Sequence, residues 1–139
     1  MEECKLSSEE LIELIEEMLD FEEVSEAFII LENRDSDKAL EIGKRIIEFD
    51  KGDDYLQATV WDILFYENKM EMVNAADRRK NIIGKTLLDD IIIDLTNYRI
   101  NVSNKFLNKL KNAYMSVSFK EKEAMRCDYN KFADIYMNV

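Results

Sequence analysis

Not one proline and only three glycines occur in 139 residues, and this scarcity constrains the fold more than any motif in the chain. Strands, hairpins and tight turns draw on those two residues for their special backbone angles. A chain almost without them is expected to be built of helices joined by polar turns. The apolar fraction of 47% is that of a globular protein, and the length suffices for one domain with a single core.

Hydrophobic spacing places the helices. At about 100° per residue, Leu11, Ile12, Leu14, Ile15, Met18 and Leu19 share one arc, with Glu9, Glu10, Glu13, Glu16, Glu17 and Asp20 opposite. Ser7 followed by Glu10 has the pattern of a capping box, in which each residue satisfies a backbone donor of the other. One straight helix continued past Asp20 would put Glu22 on the apolar face. The register therefore breaks there, predicting two helices at about 8–19 and 21–32, the second facing inward with Val24, Ala27, Phe28 and Leu31.

Asp35 or Ser36 caps a third helix with Leu40, Ile42, Ile46, Ile47 and Phe49 as its apolar positions. Gly52 is the expected stop, and Asp53 the cap of a fourth helix, "DYLQATVWDILFYE". That helix is apolar on two sides, Leu56, Thr59, Val60 and Ile63 on one and Ala58, Trp61 and Phe65 on another, so it belongs in the middle of the fold. Further helices are expected at about 69–79, 83–97, 103–114 and 119–137, the last capped by Ser118 with Glu121 and carrying Met125, Tyr129, Phe132 and Tyr136 on one face. No Gly-, Ser- or Pro-rich linker divides the row. The expected architecture is one all-α domain, residues 1–139, of short antiparallel helices stacked as a HEAT-like α-solenoid, with an irregular helical bundle as the alternative.

The charge is distributed unevenly. The first 37 residues hold 14 acids and two bases, whereas the remaining 102 hold 16 acids and 17 bases, so the whole excess of negative charge sits in the first quarter. From Arg99 to Lys131 the balance reverses, with eight bases against three acids. Such a field attracts basic partners to the negative end and repels nucleic acid and anionic membranes.

Catalytic chemistry is sparse. The chain has no histidine, which removes the imidazole base and the Ser-His and Cys-His arrangements. "GKT" at Gly84–Thr86 lacks the earlier glycine of a phosphate-binding loop, since Arg79 stands there. Asp89, Asp90 and Asp94 in "LLDDIIID" are expected on a solvated face rather than around a cation, and "RRK" at Arg78–Lys80 as a charge cluster closing a helix. Cys4 and Cys127 are expected to be reduced thiols, the second an inert one. The amino terminus has neither the basic start nor the apolar core of a secretory signal, and no apolar run spans a bilayer. A cytoplasmic, non-enzymatic protein without cofactor or metal is expected.

Two features suit protein binding. The acidic face formed by Glu13, Glu16, Glu17, Asp20 and Glu23 is a candidate interface, although such faces also serve solubility alone. Tyr55, Thr59, Asp62 and Tyr66 fall on one stripe of the fourth helix, where tyrosine either packs on a neighbour or supplies a rigid contact with a polar tip.

The segment "ALEIGKRIIEFDKGDDYLQATVWDILFYENKMEMVNAADRR", with its acidic turn and D-x-L-Q helix start, resembles the HEAT-like, all-α immunity proteins encoded beside bacterial polymorphic and contact-dependent growth inhibition toxins. The resemblance implies a small cytosolic inhibitor that binds one toxin domain and blocks it. A toxin nuclease carries a basic cleft for phosphates, which an acidic protein can cover. The expected contacts are Glu13, Glu16, Glu17, Asp20, Glu23, Tyr55, Asp62 and Tyr66. The alternative is a HEAT-like adaptor or scaffold using the same surface on another protein.

Overall fold

The computed structural model describes residues 5–137, and these form eight α-helices with no strand among them. The helices are α1 (Ser8–Glu17), α2 (Phe21–Arg34), α3 (Ser36–Glu48), α4 (Asp54–Leu64), α5 (Lys69–Arg78), α6 (Lys85–Tyr98), α7 (Asn104–Ser116) and α8 (Phe119–Tyr136). The all-α class is as expected, and the packing is compatible with either stacked hairpins or a bundle. The chain divides into two compact units, Met1–Lys80 and Asn81–Val139.

Side-chain caps fix most helix starts in the absence of proline. The Ser7 hydroxyl accepts from the Glu10 amide at 3.1 Å while the Glu10 carboxylate accepts from the Ser7 amide at 2.9 Å. Ser118 and Glu121 repeat the box at the start of α8. Asp20, Asp35, Asp53 and Ser103 cap α2, α3, α4 and α7 with their side chains alone. The predicted break near Asp20 is sharp: Met18 adopts a left-handed backbone at φ 52°, and the Asp20 carboxylate takes the amides of Glu22 and Glu23 at 3.0 and 3.3 Å.

In the first unit α3 packs on α2, α4 and α5, and α4 also meets α2 and α5. Leu11, Ile15, Val24, Phe28, Leu31, Ile46, Ile47, Leu56, Val60, Trp61 and Phe65 are buried in this core, where the Trp61 and Phe65 rings stack at 5.0 Å. Gly43 allows α3 to come this close. A methyl group there would collide with the Leu64 Cδ1 atom and sit 3.1 Å from Phe28 Cζ and 3.2 Å from Val60 Cγ1. Phe49 departs from the expected apolar face: it is the C-cap of α3, outside the helix proper, and is 60% exposed.

A buried polar network closes the α3–α4 turn. Asp50 holds a left-handed backbone at φ 54°, ahead of the expected Gly52 at φ 73°. The Arg79 guanidinium is buried and donates to Ile47 O at 3.1 Å, Gln57 Oε1 at 2.8 Å and Asp50 Oδ1 at 2.9 Å. Gln57 Nε2 in turn donates to Asp50 Oδ1 at 2.7 Å and Lys51 O at 3.2 Å. The "RRK" cluster is therefore not simply a solvated helix end. Arg78 pairs with Glu48 at 2.8 Å, while Arg79 reaches back to pin a turn about 30 residues earlier in the chain.

The second unit packs α6, α7 and α8 against one another. Leu87, Leu88, Ile91, Ile92, Leu95, Phe106, Leu110, Met125 and Phe132 fill its interior. The aromatic face of α8 is real but graded, with Met125 and Phe132 buried and Tyr129 and Tyr136 half-buried. Tyr129 stacks on Tyr114 of α7 at 3.8 Å, and the Tyr136 hydroxyl donates to the carbonyl oxygens of Leu95 and Ile100, which close α6.

The carboxylates of "LLDDIIID" are not the solvated face expected. Asp94 is buried, and Asp89 and Asp90 are half-buried, because the helix is apolar on nearly every side. Burial raises the Asp89 carboxyl above the ordinary aspartate range, and Asp128 of α8 raises it further as a neighbouring charge and hydrogen-bond partner. Asp89 Oδ1 is buried without a hydrogen-bond partner. Cys127 is a free, exposed thiol, and Cys4 lies outside the described residues.

Candidate functional site

The two units differ in charge as well as in fold. Met1–Lys80 holds 23 acids and ten bases, whereas Asn81–Val139 holds seven acids and nine bases, giving net charges of −13 and +2. The candidate surface lies wholly in the first unit.

All eight residues expected at an interface are exposed: Glu13, Glu16, Glu17, Asp20, Glu23, Tyr55, Asp62 and Tyr66. On α1 this follows from the period, since Leu11 and Ile15 are buried and turn the intervening glutamates outward. Glu9, Glu13, Glu16 and Glu17 border an open concavity with Ile12 and with Lys38 from the first turn of α3. Lys38 is itself within 3.7 Å of Glu41. None of Glu13, Glu16, Glu17 or Glu23 pairs with a cation among the described residues. Asp20 is different: its carboxylate is occupied as the cap of α2, so its first role is structural.

The tyrosines are outside the core. Tyr55 is 73% exposed at the start of α4, and Tyr66 is 53% exposed just beyond its end, its ring edge-on to Phe65 at 5.9 Å. Thr59, on the same stripe, turns its hydroxyl back to the Tyr55 carbonyl oxygen at 3.0 Å and is half-buried. A second open groove runs between α2 and α4, lined by Phe21, Glu22, Ser25 and Glu26 on one side and Asp53, Tyr55, Leu56 and Thr59 on the other.

The structure thus brings together only part of the expected set. Glu13, Glu16 and Glu17 share the α1 concavity and Tyr55 lines the α2–α4 groove, whereas Asp20, Glu23, Asp62 and Tyr66 line neither. Phe21 and Glu22, which the sequence reading did not place at an interface, also line the α2–α4 groove. Their signal is local: an aromatic directly after the Asp20 cap, at a helix end where the neighbouring elements leave it 36% exposed.

Among the described residues no group of three or more Cys, Asp or Glu side chains is disposed to hold a metal ion, and no helix is long and apolar enough to cross a membrane. No protein-family model, curated protein or solved structure matches this chain.

Proposed function

We propose that this chain is a small cytosolic immunity protein that binds a basic bacterial toxin domain, a nuclease in the favoured case, and neutralises it by steric and electrostatic blockade. The observation that carries this reading is the state of the α1–α2 carboxylates. Glu13, Glu16, Glu17 and Glu23 are exposed and unpaired on a unit of net charge −13, which leaves their field directed at solvent. Holding like charges together costs self-repulsion, and a basic partner turns that cost into attraction. The resemblance of roughly residues 35–80 to HEAT-like immunity proteins supplies the class of partner. A nuclease must attract phosphate, so its cleft presents the complementary lysines and arginines.

Complementary fields mainly accelerate association, which suits an inhibitor whose target is lethal when unbound. The test is co-expression with the product of the adjacent gene, followed by charge reversal at Glu13, Glu16 and Glu17. Protection from toxicity, together with an association rate that falls about tenfold or more in the triple variant at low salt, is expected. A harmless neighbour, or a protein that neither binds nor protects, overturns the immunity reading and leaves the adaptor alternative. An association rate and salt dependence unchanged by the reversal assign the acidic face to solubility.

A further inference from the structure

The concavity beside α1 is the wide part of a longer trough. Lys38, in the first turn of α3, borders it with Glu9, Ile12 and Glu13 of α1. Further along, Ile42 and Ile46 of α3 border a narrower cleft with Ile15 and Met18. Glu16 lines both, so the two are continuous, and the residue numbers rise together, so α1 and α3 run side by side in the same direction. The walls are unlike. Glu9, Glu13, Glu16 and Glu17 stand on the α1 wall, exposed and without a cation partner among the described residues. The α3 wall carries Lys38 and Arg45, both engaged by Glu41 of the same helix at 3.7 and 2.9 Å, so neither neutralises the carboxylates opposite. Ile12 lies half-buried beside these glutamates.

We infer that this trough receives one basic, amphipathic helix of a partner protein, with lysines or arginines a turn apart along Glu9, Glu13 and Glu16 and an apolar edge on Ile12. Shape selects the helix. The trough is as long as α1, ten residues or about 15 Å, and its wide part holds about 740 Å³, room for several side chains at once. Both walls are helices whose backbone donors and acceptors are bonded internally, so an extended segment finds no edge to join. Glu9, Glu13 and Glu16 follow steps of four and three, the steps at which a helix laid alongside presents its own side chains. Charge selects the sign of the occupant and the way it is turned. Carboxylates without partners on one wall attract cations, and Lys38 and Arg45 on the other turn them away. The inference rests on the reading of the first unit as a surface for basic proteins, and adds the form of the segment that it recognises.

The probe is an alanine-rich peptide of about 16 residues, long enough to be partly helical in water, with lysines at steps of four and three and leucines on the adjoining stripe. Its controls are the diastereomer with two central D-leucines, which keeps charge and composition but breaks the helix, and the peptide with glutamate for lysine. Titrated into the full chain labelled with nitrogen-15, the helical peptide is expected to shift amides of both walls, residues 9–17 and 38–46, and to bind about fivefold or more tightly than the diastereomer. Ile12→Gln should remove most of that preference and leave the binding of the diastereomer in place, while Glu13→Gln with Glu16→Gln should weaken both cationic peptides. The buried Trp61 reports by fluorescence that each variant is folded. Equal binding of the two cationic peptides, shifts confined to α1, or no preference for lysine over glutamate each overturn the inference. None of these outcomes touches the immunity reading, which is judged by protection in the co-expression test. A protein that binds the helical peptide but protects against nothing loses that reading alone.

Discussion

Replacing Arg79 by alanine tests whether the α3–α4 turn is held by the C-terminus of α5. The variant removes the hydrogen bonds to Ile47 O, Gln57 Oε1 and Asp50 Oδ1, which lie between 2.8 and 3.1 Å. Breaking a buried charged pair from one side costs about 3–5 kcal/mol. Asp50 has a 36% exposed side chain and regains water, which lowers the figure, whereas Gln57 at 1% exposure cannot. About 3 kcal/mol is therefore expected, equivalent to roughly 12–24 °C in Tm for a unit of this size. The assay is urea unfolding followed through Trp61, the chain's single tryptophan, which lies in α4 and is fully buried. Arg79→Met, which retains the aliphatic packing, should recover only a small part of the loss. In a double-mutant cycle with Gln57→Ala, a coupling of about 1 kcal/mol or more is expected for bonded partners. A loss below about 1 kcal/mol for Arg79→Ala, or additive effects in the cycle, refutes the role assigned to the network.

Gly43→Ala gains helix propensity of about 1 kcal/mol but overpacks Phe28, Val60 and Leu64, so a net loss of about 1 kcal/mol is expected by the same fluorescence assay, and stabilisation would contradict the close approach. Ser118→Ala should cost about 1 kcal/mol and speed hydrogen exchange at the Glu121 amide, whereas unchanged exchange there would show that the box contributes nothing. Asp89 has a folded-state pKa raised by burial and by Asp128, so folding takes up a proton between its unfolded and folded values and stability falls as pH rises through that interval. The Tm advantage of Asp89→Asn over the native chain should accordingly widen from the ordinary aspartate range towards neutrality, and a gap independent of pH would exclude this linkage.

Helix starts were legible in the sequence because caps are local. Ser7, Asp20, Asp53 and Ser118 each act within three residues of their own position, and the structure places all four as caps. Periodicity also assigned Val24, Phe28, Leu31, Ile42 and Ile46 to the interior correctly. The failures involve residues whose surroundings come from distant chain. Arg79 looked like an exposed terminal charge because its acceptors lie 22 to 32 residues away. Asp94 looked solvated because its i, i+4 relation to Asp90 says nothing of which faces α7 and α8 cover. The exposure of Tyr55 and Tyr66 was one of two readings of the stripe, and only the packing of α4 on α2, α3 and α5 decides between them. The α2–α4 groove needs Phe21 and Tyr55 from two helices and was invisible to any single period.

Gly43 also bears on the order in which this sequence can change. Its missing methyl group is matched to the bulk of Leu64, Phe28 and Val60, three residues on two other helices. A larger residue at position 43 becomes tolerable only after one of those three has shrunk, yet shrinking Leu64 or Phe28 first opens a cavity costing about 2–5 kcal/mol. Either first step is penalised, and only the pair restores the packing. Position 43 is therefore held in place by history as much as by geometry, and lineages that lost this glycine should carry a smaller partner at 28, 60 or 64.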